Sequence, residues 1–207
     1  CLRWFRDGFC KEEIQMQEAS GLDSYFLMDL EADRIPAGSD GLIALPHLQG
    51  SMAPDVNLNA KAVFYGATLK HTKAHFIRSI MESLGYIICR NLEAIDAMGL
   101  DIQEIRTMGG GSKSGIWNQI KADVTGKTLC LTQSSQDTAC LGAAILAGVA
   151  TGKFESIQAA SDSMVKIKKV YTPNPENHEV YMRQYHKFKM LFQALEPLYD
   201  YDAKKPI

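Results

Sequence analysis

The chain predicts an α/β domain in which helices cover a sheet. Three observations predict it. From His71 to Met98, apolar residues recur at helical spacing, and Gly99 follows as a stop. Beyond that point strand-like and helix-like segments alternate, joined at 109–114 by a glycine-rich turn. The tail, about Pro175 to Leu198, repeats aromatic residues every three or four positions.

The bulk properties narrow the class. The chain has 207 residues, a formal net charge of -2, 46% hydrophobic and 22% charged residues. That balance suits a soluble domain with a core. A mildly acidic chain has no broad electrostatic attraction for nucleic acid or an anionic membrane. No apolar run is long enough to span a bilayer. The most apolar stretch, Ala139 to Ala150, is interrupted by Gly142 and Gly148 and reads as a buried helix. The 5 cysteines are odd in number and lack a Cys-x-x-Cys pair. They read as reduced thiols of a cytoplasmic protein. The chain opens Cys1-Leu2-Arg3-Trp4-Phe5 without a methionine, in mid-pattern, and reads as part of something longer.

The elements follow in order. Phe9 to Ala19 reads as a helix, and Asp29 to Asp40, acidic and carrying Pro36 and Gly38, as a loop. Gly41 to Pro46 is a short apolar run closed by proline, hence a buried strand. Gly50 to Asn59 is rich in turn formers. The long helix then places Ala74, Ile77, Met81, Leu84, Ile88, Leu92, Ile95 and Met98 on one face, with Gly85 positioned for close packing. Gln103 to Met108 reads as a strand, Gly115 to Thr125 as a helix, Lys127 to Leu131 as a strand and Gln136 to Ala150 as a helix. Tyr181, Tyr185, Phe188, Phe192 and Leu195 then line an amphipathic helix of about residues 175–200, started by prolines and packed on the domain.

The turn Met108-Gly109-Gly110-Gly111-Ser112-Lys113-Ser114 carries the chemistry. Glycine permits positive φ and lets a flat or anionic ligand approach without a Cβ in the way. The helix behind it offers free N–H groups and the positive end of its dipole. The pattern is neither a P-loop, since Ser112 precedes Lys113, nor a dinucleotide fingerprint, since Ser114 stands where a third glycine belongs. The plain alternative is a flexible connection with a serine cap.

The context favours a ligand. Gly109 to Asp123 closely resembles the adenosine-binding segment of the FGGY carbohydrate kinases. Ala139-Cys-Leu-Gly-Ala-Ala-Ile-Leu-Ala-Gly148 resembles that family's Ala-Leu-Gly-Ala-Ala-x-x-Ala-Gly helix. Gly41-Leu-Ile-Ala-Leu-Pro-His-Leu-Gln-Gly50 resembles its Gly-Leu-x-x-Leu-Pro-Tyr-Leu-x-Gly element, and His71, His75, Arg78 and Glu82 resemble the start of its central helix. The order and spacing match over about Leu2 to Leu198, and Leu2-Arg-Trp-Phe-Arg-Asp7 is most similar to xylulokinase-like members. Two positions depart. Gly50-Ser51-Met52-Ala53-Pro54 stands for Gly-Glu-Arg-x-Pro, and Gln136-Asp137-Thr138 replaces a segment that often holds glutamate.

The resemblance implies a ribonuclease-H-like, actin-like ATPase fold over residues 1–207, as the C-terminal half of a two-domain sugar kinase lacking its first, phosphate-holding hairpin. It implies ATP with Mg²⁺, and transfer of a phosphoryl group to a sugar hydroxyl, a pentulose such as xylulose first among them. The general base and most sugar contacts belong to the other domain, so no catalytic residue is expected here. Expected partners are ATP or ADP and a small sugar, with no nucleic acid or membrane; the assembly to test is a homodimer. The rival readings are a non-catalytic nucleotide-binding or interaction module and a different actin-like ATPase.

The expected nucleotide contacts are Gly109, Gly110, Gly111, Ser112, Ser114 and Asn118. Ser112 and Ser114 have a helix cap as the bland alternative, and Asn118 an exposed polar face. Lys113 reads as a solvated turn lysine. His71 and His75 have a spacing that can bind zinc, without a third ligand nearby, and read as cap or packing residues. Asp123 and Asp137 are catalytic carboxylates in principle only, with Asp123 read as structural. Arg78 and Glu82, one turn apart, read as a helix-surface pair.

Overall fold

The helical spacing after residue 71 produces one long helix, α4 (Lys73–Asp96), and the rest of the chain packs around it in the computed structural model, which describes residues 1–204. Residues 205–207 of the expected domain lie outside the described residues. Thr72 begins the helix, and its N–H donates to His75 Nδ1 at 3.1 Å. His71 Nδ1 accepts from the Thr68 N–H at 2.9 Å. The two histidines thus stabilise a helix start and the turn before it. Ile77 and Met81 are buried as the stripe predicts, but Ser79, Ile80, Ser83 and Tyr86 are buried too, while Met98 is exposed. The first half of α4 is enclosed on all sides, so a one-sided stripe describes it only in part.

Three short helices precede it: α1 (Leu2–Phe9), α2 (Lys11–Ser20) and α3 (Ser24–Asp33). This corrects two expectations. The single helix expected over 9–19 starts later, because the chain breaks at the buried Cys10, and a separate helix lies before it. The loop expected over 29–40 begins only after residue 33. Asp23 Oδ1 accepts from the Tyr25 N–H at 2.8 Å and starts α3, whose Met28 and Ala32 are buried despite the acidic residues between them. Lys73 at the head of α4 bonds to Glu12 and Glu13, with Glu31 3.6 Å away, tying the helices together. Burial, then hydrogen bonding to Glu13, pushes the Glu31 carboxyl up to about 7.

The pair read as a surface contact is in fact the polar centre of the core. Glu82 is 1% exposed. Arg78 Nε donates to Glu82 Oε1 at 2.9 Å, and that oxygen also accepts from the Gly38 N–H at 3.0 Å. Ser39 Oγ donates to the other oxygen at 2.8 Å. Arg78 spends its remaining nitrogens on the Ala32 carbonyl at 3.1 Å and Tyr181 Oη at 2.8 Å. Burial pushes the Glu82 carboxyl above its ordinary range, so only this full set of partners makes a buried charge tolerable.

Strand β1 (Ile43–Leu45), wholly buried, pairs antiparallel with β2 (Val63–Tyr65), in register Ile43 with Tyr65. The second sheet runs β3 (Glu104–Thr107), β4 (Thr128–Thr132), β5 (Ile167–Tyr171) in that order. β3 and β4 are parallel, linked by the crossover helix α5 (Gly115–Thr125), and β5 lies antiparallel to β4. Ala122 of α5, Leu129 and Tyr171 form a small core between helix and sheet. Gly85 of α4 faces Val124 of α5: a Cβ there would stand 3.0 Å from the valine side chain. Residues 175–204 form α8 (Pro175–Lys204), which seats Tyr181, Tyr185, Phe188 and Phe192 in the main core.

Helix α6 (Thr138–Ala150) differs from its expected burial. It packs chiefly on α7 (Ile157–Met164); only Ile145 and Gly148 are buried, and Leu146 is 59% exposed. Its small side chains can bury area only against a closely approaching partner, and α7 covers one side.

The core pair gives the first prediction. Arg78→Met leaves the Glu82 charge without its cation and costs about 3–5 kcal/mol of stability. Adding Glu82→Leu recovers most of that loss. Urea denaturation of the two single variants and the double variant measures both, and a double-variant loss equal to the sum of the single losses would show that the pair is not coupled.

Candidate functional site

The glycine turn sits where β3 hands the chain to α5. Gly109 has φ +77° and ψ -170°, a conformation almost confined to glycine. Its N–H donates to the Ser135 carbonyl at 2.7 Å. Gly110 to Lys113 then make one tight turn. Ser114 Oγ accepts from the Trp117 N–H at 3.0 Å and starts α5.

Gly110, Gly111, Lys113, Ser114 and Trp117 form one wall of an open groove of about 580 Å³. More of the lining comes from Tyr25, Phe26 and Asp29 of α3, with Leu2 and Arg3 of α1. Arg6 lies 4.6 Å from the Tyr25 ring centroid, fixing α3 against α1. Trp117 Nε1 donates to the Met81 carbonyl at 3.0 Å, which orients the indole. Burial raises the Asp29 carboxyl above its ordinary range, and a hydrogen bond from Ser114 opposes that rise.

The expected contacts divide into two groups. Gly110, Gly111 and Ser114 line the groove. Ser112 and Asn118 do not: both are buried, Asn118 completely. Ser112 Oγ turns back to the Gly109 carbonyl at 2.7 Å. Asn118 Nδ2 donates to the Ser112 carbonyl at 2.8 Å, and Lys121 Nζ donates to Asn118 Oδ1 at 3.4 Å. Asn118 is therefore neither an exposed polar residue nor part of the groove surface. Gly109, exposed and at positive φ, begins the turn and is not part of the groove lining.

Sequence reasoning missed Gln136 and the α3 wall. Gln136 Nε2 donates to the Gly109 carbonyl at 2.9 Å and to Ser112 Oγ at 3.2 Å, pinning the turn from the loop after β4. Asp23 before Ser-Tyr-Phe-Leu-Met was a usable helix-start signal for α3.

The other candidates have structural roles. Asp123 Oδ1 accepts from the Asn174 N–H at 2.8 Å and Oδ2 from Asn177 Nδ2 at 2.9 Å, so it fastens the start of α8. Asp137 stands before α6 without a capping hydrogen bond from its side chain. Among the described residues no three His, Cys, Asp or Glu side chains converge to hold a metal ion. A second cavity, about 600 Å³, opens between α8 and the loop after β1. Its Arg90 is paired with Asp55 and its Lys189 with Glu93.

Two predictions come from this geometry. Gly111→Ala would set a Cβ 2.8 Å from the Trp117 ring. It should cost about 1–3 kcal/mol as the indole is displaced. Gly110→Ala meets nothing within 4 Å and should be near neutral. Calorimetric unfolding compares the two. Among the described residues Lys121, which is buried, has no carboxylate partner, and burial alone pulls its pKa from 10.5 to about 8. Between these values the unfolded chain holds a proton that the folded chain has released, so stability rises as pH climbs from about 8 to 10.5. Lys121→Met should remove that rise and add about 1–3 kcal/mol at pH 7, read from urea midpoints across pH.

Comparison with known proteins gives the family. The FGGY family of carbohydrate kinases, C-terminal domain, matches residues 1–151. A gluconokinase of Bacillus licheniformis is 34% identical over 96% of this chain and 38% of its own length. An autoinducer-2 kinase of Escherichia coli K12 is 34% identical over 97% and 38%. The crystal structure of xylulose kinase from Rhodospirillum rubrum superposes with a TM-score of 0.78 at 27% identity, over 96% of this chain and 38% of that one. The chain thus spans about 38% of the length of these relatives. With the family profile covering most of its residues and the expected α/β architecture in place, the chain belongs to the FGGY carbohydrate kinases, as their C-terminal domain.

Proposed function

We propose that this chain supplies the adenosine side of the cleft in an ATP-dependent sugar kinase. The observation that carries the reading is the groove whose wall is bare main chain at Gly110 and Gly111, flanked by Trp117 and faced by Asp29. A purine fits such a wall because no Cβ holds it off. Asp29 lines that groove beside Ser114, with Asp23 also in the lining, and is suited to accept a ribose hydroxyl or the adenine amino group. The phosphates then run past the N-terminus of α5, where free N–H groups and the helix dipole favour negative charge. Lys113, at the same end, adds an exposed positive charge.

The reaction is transfer of the γ-phosphoryl group to a sugar hydroxyl, which depends on alignment and charge stabilisation. Mg²⁺ would arrive on the ATP phosphates, since no carboxylate cage for it exists among the described residues. The base that takes the hydroxyl proton belongs to the family's other domain, so this chain alone binds nucleotide without turning it over. A pentulose is the favoured sugar on the likeness of residues 2–7 to xylulokinase-like members. Gluconokinases and autoinducer-2 kinases among the relatives keep other acceptors in view. A cytoplasmic location suits five free cysteines.

Two measurements test this. Calorimetry of the chain with ADP should give weak binding, and Gly110→Val should weaken it about tenfold by filling the groove wall, with an unchanged melting temperature, since about 1.4 kcal/mol is one decade. Unaltered ADP affinity in Gly110→Val would remove the groove from the argument. In the protein that carries the partner domain, ATP turnover should require a sugar. Sugar-independent hydrolysis would favour the rival actin-like ATPase.

A further inference from the structure

Behind the groove lies a lysine that the nucleotide reading does not use. Lys121 is one turn beyond Trp117 on α5 and is 9% exposed. Its Nζ stands 4.7 Å from the Trp117 ring centroid and 3.4 Å from Asn118 Oδ1. Each neighbour leads to the glycine turn. Trp117 carries its ring against Gly111, where even a Cβ would come within 2.8 Å. Asn118 Nδ2 holds the Ser112 carbonyl at 2.8 Å, and Ser112 Oγ holds the Gly109 carbonyl at 2.7 Å. A single cation therefore touches both side chains that shape the turn from within.

A buried cation is costly, and a hydrocarbon side chain would pack the same space without that cost. The aromatic ring and the amide oxygen are its compensation. We propose that Lys121 is a positioning residue for the nucleotide: its ammonium, set against Trp117 and Asn118, holds the glycine turn in the form that lines the groove. This rests on the nucleotide reading of that groove. A charged donor binds the Asn118 oxygen more strongly than a neutral amine does. Loss of the proton therefore loosens Asn118, then the Ser112 carbonyl, then the turn.

The ionisable groups on the surrounding elements are engaged elsewhere. Asp29 on α3 meets Ser114, Arg78 and Glu82 on α4 meet each other, and Asp123 of α5 holds the start of α8. His178 of α8 bonds the Asp123 carbonyl, Lys169 of β5 lies over Tyr171, and Cys130 of β4 meets Glu104. None of them contributes to the pKa of Lys121, which burial alone brings down to about 8. Its protonation consequently changes within a range where ADP is already fully ionised. By reciprocity, a turn stabilised by the ammonium binds nucleotide more tightly at pH 7 than at pH 9.5.

The experiment measures ADP affinity by calorimetry at pH 7.0 and 9.5 for the native chain, Lys121→Arg and Lys121→Met. Backbone amide exchange at Gly110 to Lys113 is followed by NMR across the same range, with Lys121→Arg dividing out the intrinsic base dependence. The native chain should bind ADP about three- to tenfold more weakly at pH 9.5, the size of a half- to one-unit rise in the lysine pKa on binding. Lys121→Arg, always charged, should bind as tightly as the native chain at pH 7.0 and show no pH slope. Lys121→Met should bind weakly at both pH values while melting higher, a combination that a purely structural role does not produce. Native affinity and a native pH slope in Lys121→Met would overturn the proposal. If no form binds ADP, the nucleotide reading itself fails, and the exchange data still decide the role of Lys121. Faster exchange at 110–113 as the native lysine deprotonates, absent in Lys121→Arg, supports it; exchange indifferent to residue 121 refutes it.

Discussion

A carboxylate without access to water must find all of its partners inside the protein, and Glu82 sets that condition for the whole domain. Its oxygens are met from the loop after α3 by Gly38 and Ser39, and from its own helix by Arg78. Arg78 in turn reaches the last carbonyls of α3 at Ala32 and the first turns of α8 at Tyr181. Segments far apart in the chain therefore have to arrive together, because a missing partner would strand a charge in the core. The groove depends on this indirectly. One of its walls is α3, which the Arg78 bond holds at its C-terminal end, and the other is α5, which packs on α4.

The groove separates contact from support. Gly110, Gly111 and Ser114 present surface, while Gly109, Ser112, Asn118 and Gln136 form a closed set of hydrogen bonds behind it. A run of glycines has little conformational preference of its own and would be expensive to order on binding. Here the ordering is supplied beforehand by side chains outside the groove lining, which is how a flexible sequence becomes a defined wall.

Local signals were legible where the chain obeys local rules. Gly115–Thr125 follows from a serine cap and an apolar stripe, and the triglycine reads as a candidate site because a strand leads into it. Burial was less legible. Spacing of four residues brings Arg78 and Glu82 together whether they face water or core, so tertiary packing alone made the difference. Asn118 and Lys121 look like solvent-facing residues of an amphipathic helix, and only the packing of α5 against its neighbours puts them inside. The reverse holds for α6, whose composition suggests burial while its neighbours in the described structure cover one side. The α3 wall was hidden because Asp29, Glu31 and Asp33 interrupt the apolar pattern that Met28 and Ala32 continue.

The notch at Gly85 has a consequence for how this sequence can drift. Val124 fills the space that a side chain at 85 would need, so any enlargement on α4 demands a smaller residue on α5. The two positions are free to change only as a couple, and an unmatched change would wedge the helices apart. Such a wedge would carry the N-terminal end of α5 out of line with α3, widening the cleft without altering a single residue that lines it.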